Sequence, residues 1–166
     1  MALIRYINLL VFCTLGFHAC VVPDENPMGD YEEGVFIVNE GIYGQTSGSI
    51  TFYNRDNNFS EPKIFRKVNN RDLGDVVESM YFHNGRAYII VNNSNKIEVA
   101  DATTFEEKAQ ITGLKLPRYF MPVSDSKAYV SEWGSDGLSG QLTVLDLNTN
   151  TITKTISVSV GPEQLY

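Results

Sequence analysis

Nine side chains in this sequence are of types that hold flat or partly polar small molecules: Tyr43, Gln45, Asn69, Arg71, Asn92, Asn93, Arg118, Tyr119 and Trp133. They lie in or beside five turn-rich stretches, 39–48, 67–75, 92–96, 115–118 and 132–140. A lone tryptophan beside loop glycines, with tyrosine, arginine and amide groups nearby, suits a large flat ligand or a sugar. The rings supply contact area and the amides fix orientation. Trp133 and Tyr119 also admit a second reading, as aromatics packed between the layers of a β fold.

Other chemistries lack their residues. His83 is the only histidine outside the N-terminal leader, and it sits in a turn beside Asn84-Gly85. No Cys/His cluster has metal-ligand spacing, and no run of aspartates has calcium-loop order. The glycine loops Gly41-Ile42-Tyr43-Gly44 and Gly134-Ser135-Asp136-Gly137 join strand to strand, so no helix N-terminus follows to hold a phosphate. No nucleophile elbow is present. The sequence therefore leads us to expect no catalytic residue, no metal and no cofactor.

The elements that must position the nine side chains are strands. Thirteen glycines, nine tyrosines and nine phenylalanines, with few helix-forming runs, point to an all-β fold. A charge of −7 excludes a nucleic-acid footprint. Three segments repeat: 34–54, 86–101 and 127–146. Their anchors Asn54, Asp101 and Asp146 lie 47 and 45 residues apart. Spacings of this size, with several short strands each, belong to propeller blades. Strands are expected in the second unit near 77–82, 87–91, 96–101 and 105–111, and in the third near 119–123, 127–132, 141–146 and 151–158. Asp101 and Asp146 each open a hairpin turn, a structural role in which a carboxylate accepts backbone N–H groups.

The run Leu145-Asp146-Leu147-Asn148-Thr149-Asn150, with Thr155-Ile156-Ser157-Val158 and Gly161-Pro162 after it, resembles the YVTN-type propeller repeat, and Tyr129-Val130-Ser131-Glu132 takes the place of its naming tetrapeptide. The block from Gly34 to Tyr53 and the stretch from Asn92 to Val99 resemble a surface-lipoprotein branch of that family. The resemblance covers residues 34–166 and recurs in all three units. It implies a ring of typically seven four-stranded antiparallel blades, of which this chain would hold an incomplete arc of about three. The units would be 34–66, 76–113 and 118–158, with a fourth opening at 162–166. The first unit would lack its innermost strand, and the chain reads as an N-terminal fragment. The five turn-rich stretches would share one face of the ring.

The N-terminus reads as an export signal over residues 1–19: one arginine, Arg5, then an apolar run from Ile7 to Phe17 too short to span a bilayer. Ala19-Cys20 resembles the lipobox of bacterial lipoproteins, which would make Cys20 the lipidated first residue, although Phe17 and His18 depart from the usual pattern. An ordinary signal peptide with an incidental cysteine is the other reading. Residues 20–33 hold five acidic residues, two prolines and no basic residue, the composition of a tether.

The expected function is a non-catalytic ligand-binding propeller, exported and lipid-anchored at the outer membrane or cell surface. The lipoprotein branch implies capture of a corrinoid such as cobalamin for an outer-membrane transporter. Two other readings stay open: an envelope scaffold for protein or glycan partners, and part of a propeller enzyme of quinoprotein type.

Overall fold

The structure, a computed structural model, describes residues 30–166. The export signal, Cys20 and most of the expected tether lie outside the described residues.

The alternating segments become three four-stranded antiparallel sheets. The first contains β1 (Val35–Asn39), β2 (Ser47–Asn54) and β3 (Phe59–Glu61). A helical turn, α1 (Ile64–Asn69), follows, and then β4 (Gly74–Asp75), which pairs with the start of β2. The second sheet runs in chain order through β5 (Val77–His83), β6 (Arg86–Val91), β7 (Lys96–Asp101) and β8 (Glu107–Thr112). The third repeats this with β9 (Pro117–Ser124), β10 (Lys127–Glu132), β11 (Gln141–Asp146) and β12 (Thr151–Ser157). Arg86 pairs with Asp101, and Lys127 with Asp146, at the same place in each unit. The inner strands β5 and β9 pack side by side, so the sheets stand as neighbouring blades in an open arc.

The repeat anchors act as turn acceptors. Asp101 Oδ1 accepts the Thr103 and Thr104 amides, both at 3.0 Å, and Asp146 Oδ1 accepts those of Asn148 and Thr149 at 2.8 and 3.4 Å. Asn54 does the same for Asp56 and Asn57. The backbone bonds from Thr104 and Thr103 hold the Asp101 carboxyl below its ordinary range.

Blade 2 is covered on both sides, which explains why β6 reads as an unbroken apolar run. Alternate side chains of a strand point to opposite faces. Ala87, Ile89 and Val91 enter a core shared with blade 1, around Ile50, Phe52 and Phe65. Tyr88 and Ile90 enter a second core shared with blade 3, around Phe120, Ala128 and Val130.

Two expectations are corrected. Tyr31, assigned to the tether, is 2% exposed, its ring edge-on to Phe52 and Phe105, and its amide donates to Thr103 O at 3.0 Å. One aromatic ring buries enough surface to anchor an otherwise acidic segment. Burial, with Glu61 close by, pushes its hydroxyl up to about 12. The stretch 67–75, expected as loop, begins inside α1, whose Ile64 and Phe65 fill the gap between blades 1 and 2.

Candidate functional site

The nine expected site residues separate into three groups. Three of them are internal braces. Asn69 Nδ2 donates to Phe65 O and Phe105 O, and its Oδ1 accepts the Glu107 amide at 2.8 Å, so the side chain ties α1 to blade 2. Arg71 reaches between blades 1 and 2 to the buried Glu98, donating from Nη1 at 2.9 Å and Nη2 at 2.7 Å, and also pairs with Glu107. Asn92 is buried and donates to Pro117 O at 2.9 Å, joining blade 2 to blade 3. These polar groups enter gaps where bare burial would be costly, so each has been given a partner.

A second group lies on β9 and just past the end of β10. Arg118 stacks over the Trp133 ring at 4.2 Å, donates to Glu78 at 2.6 Å and lies 3.3 Å from Glu163. Burial raises the Glu78 carboxyl, partly offset by Arg118. Tyr119 is half-buried, and its amide donates to Ser131 Oγ. Trp133 is fixed through its amide to Leu116 O, while its ring N–H is buried without a partner. Trp133 belongs to neither apolar core, and its ring packs against the Arg118 guanidinium.

The third group lines a groove. Turns from all three blades, brought to one face by the strand order, enclose about 580 Å³ between the β6–β7 turn and the chain leading into blade 3. Tyr43, 71% exposed, borders it from the β1–β2 loop, and Asn93 from the β6–β7 turn. Asp75 holds these two loops together: its carboxylate accepts the Gly44 amide at 3.0 Å and the Asn93 side-chain amide, and its own amide donates to Ser94 Oγ. Gln45 only closes the turn, its amide donating to Ile42 O.

Sequence reasoning missed Lys96, Gln110, Lys115 and Ser135, which also line the groove. It also missed the buried acids behind it. Glu98 sits between Ile97 and Val99; in a blade covered on both sides, a mid-strand charge has to be paired, and that was the available signal. Burial alone would raise its carboxyl, but hydrogen bonds from Arg71, Lys96 and Gln110 outweigh this and hold it below the ordinary value. Glu132 is fully buried too. Its Oε2 accepts the Lys115 amide and, at 3.1 Å, Gln141, while Oε1 has no partner. Burial raises this carboxyl, against partial relief from Thr143, Lys115 and Gln141.

A depression of about 440 Å³ on blade 3, lined by Tyr129, Val144 and Ile156, is of another kind. Tyr129 occupies the repeat position of Tyr88, which blade 2 buries against blade 3, so this is a blade-packing face. Among the described residues no group of three or more His, Cys, Asp or Glu side chains could hold a metal ion.

Radial four-stranded blades with a loop face define an arc of a β-propeller. The chain belongs to a family described as a domain of unknown function, DUF5074, which matches residues 33–164. Among solved structures it is similar to Kuenenia stuttgartiensis hydrazine synthase, with a TM-score of 0.54 and 13% identity over 67% of this chain and 31% of that one. It also matches a europium-containing methanol dehydrogenase, with a TM-score of 0.46 and 17% identity over 80% of this chain and 25% of that one. The chain thus spans less than a third of the length of either structure. No curated protein matches it in sequence.

Proposed function

We propose that this chain is part of a non-catalytic, ligand-binding propeller that takes a polar small molecule on its loop face. The observation that carries the proposal is the groove itself, to which all three blades contribute and whose lining combines an exposed ring, Tyr43, with amide, hydroxyl and ammonium donors. Such a lining orients a ligand and offers no nucleophile–base pair. The finer proposal follows the lipoprotein resemblance. The ligand would be a corrinoid, a disc edged with amide arms that Asn93 and Gln110 can meet. The protein would be held by a lipid on Cys20 and would deliver its ligand to an outer-membrane transporter. Calorimetry of the full-length protein with cyanocobalamin tests this. Binding should be weakened about tenfold by Tyr43→Ala, a loss of about 1.4 kcal/mol. No heat with the intact protein at high concentration would remove the corrinoid assignment.

A further inference from the structure

We infer that the loop-face groove contains an anion subsite centred on Lys115, so that the ligand it takes carries a carboxylate or phosphate beside a flat ring. This rests on the ligand-binding reading of the groove and specifies its chemistry.

The first observation is the charge of the lining. The chain carries 20 acidic against 13 basic residues, yet the groove is lined by Lys96 and Lys115 and by no aspartate or glutamate. Of these two lysines, Lys96 is already spoken for. Its ammonium bonds Glu98 at 2.5 Å, and with Arg71 and Glu107 the set balances two cations against two carboxylates. Lys115 makes no ion pair among the described residues.

The second observation is how firmly Lys115 is rooted. Its amide is bonded by the buried Glu132 carboxyl, and its carbonyl accepts the Gly134 amide at 3.1 Å. The next residue, Leu116, in the left-handed region at φ 51°, donates its amide to Asn95 Oδ1 at 2.8 Å, and its carbonyl accepts the Trp133 amide. The chain at Lys115 is therefore clamped between the β6–β7 turn and the start of the β10–β11 loop. A lysine on a floppy loop gives little when it meets an anion, because ordering the loop offsets the attraction. Here most of that ordering is done in advance.

The third observation is the company Lys115 keeps. Glu132, the acid that holds its amide, is buried behind the groove and takes no part in the lining. The nearby Asp75 carboxylate is occupied by Gly44 and Asn93. Tyr43 lines the same groove. A ring-bearing anion would find a stacking surface and a charge-assisted donor in one cavity.

The test is a chemical-shift titration of isotope-labelled protein with three probes sharing one ring: 4-nitrophenyl phosphate, 4-nitrobenzoate and the neutral 4-nitrophenyl glucoside. At least one of the two anions should shift the amides of 93–96 and 113–116, with affinity falling as salt rises. The phosphate and carboxylate arms show which group is preferred. Lys115→Gln should weaken that binding roughly tenfold with its unfolding transition unchanged, and Lys115→Arg should restore most of it. Equal binding of the neutral probe, with Lys115→Gln indifferent, overturns the anion subsite but leaves the groove reading standing. Shifts confined to the blade-3 depression around Lys127 and Lys154 overturn it too. If neither these probes nor cyanocobalamin move the groove amides, the groove reading itself fails.

Discussion

Replacing Glu98 by glutamine keeps the shape of blade 2 and removes one charge from its interior. The carboxylate is fully buried and accepts four hydrogen bonds: two from Arg71 at 2.9 and 2.7 Å, one from Lys96 at 2.5 Å and one from Gln110 at 2.9 Å. A hydrogen bond to a charged group contributes about 1.5–3 kcal/mol, and removing one partner of a buried ion pair costs about 3–5 kcal/mol. The lower end applies, because the Arg71 side chain is 34% exposed and keeps Glu107 as a partner. Glu98→Gln should therefore destabilise the protein by about 3 kcal/mol at pH 7, lowering Tm by roughly 10 °C in a domain of this size. Urea unfolding followed by circular dichroism reads this as a lower midpoint at unchanged m-value. Acid supplies the sign. The folded carboxyl titrates below its unfolded value, so its contribution is present above the ordinary glutamate range and is lost as pH falls through the folded value. The gap between wild type and variant should thus be full at pH 7 and close in acid. A gap under about 1 kcal/mol at pH 7, or one that widens on acidification, would refute the reasoning.

Glu132 behaves in the opposite sense. Burial raises its folded carboxyl, so stability from this group falls as pH climbs through the glutamate range. Glu132→Gln should match or exceed wild type by about 1 kcal/mol at pH 7 and flatten the profile of Tm against pH; a loss above about 2 kcal/mol would contradict this. Asp75→Ala should free the Tyr43 loop. Hydrogen exchange at the Gly44 amide would rise about tenfold or more, while global stability moves by less than about 1 kcal/mol. Gly140→Ala drives a Cβ into the Ser159 carbonyl and should cost about 2–4 kcal/mol. Gly137→Ala, at φ 66° in open space, should cost only about 1 kcal/mol; thermal melts of the two distinguish collision from backbone strain.

Strand placement was legible because its signals are local. The limits of β7, β10 and β11 match the expected 96–101, 127–132 and 141–146; a turn acceptor, Asp101 or Asp146, closes β7 and β11. The fold class followed from the spacing of Asn54, Asp101 and Asp146, since a turn needs its acceptor at a set place in every blade. The site was legible in part. Tyr43 and Asn93 do border the groove, but Asn69, Arg71 and Asn92 share their residue types and loop positions while serving as braces. No local pattern separates a polar side chain that faces solvent from one that enters the gap between two sheets.

By itself the sequence determined that this chain builds antiparallel blades at a period of about 45 residues, because the residues that alternate and turn are neighbours along the chain. Only the tertiary structure decided which polar groups are spent inside. Arg71 and Lys96 meet at Glu98 across 27 and 2 residues, and Lys115 is held by Glu132 and Gly134, with its neighbour Leu116 held by Asn95. Arg71 and Glu98, and Asn95 and the chain at Lys115, come together only when blades stack, and stacking is driven by apolar faces such as that of β6, which say nothing of the charges brought along with them.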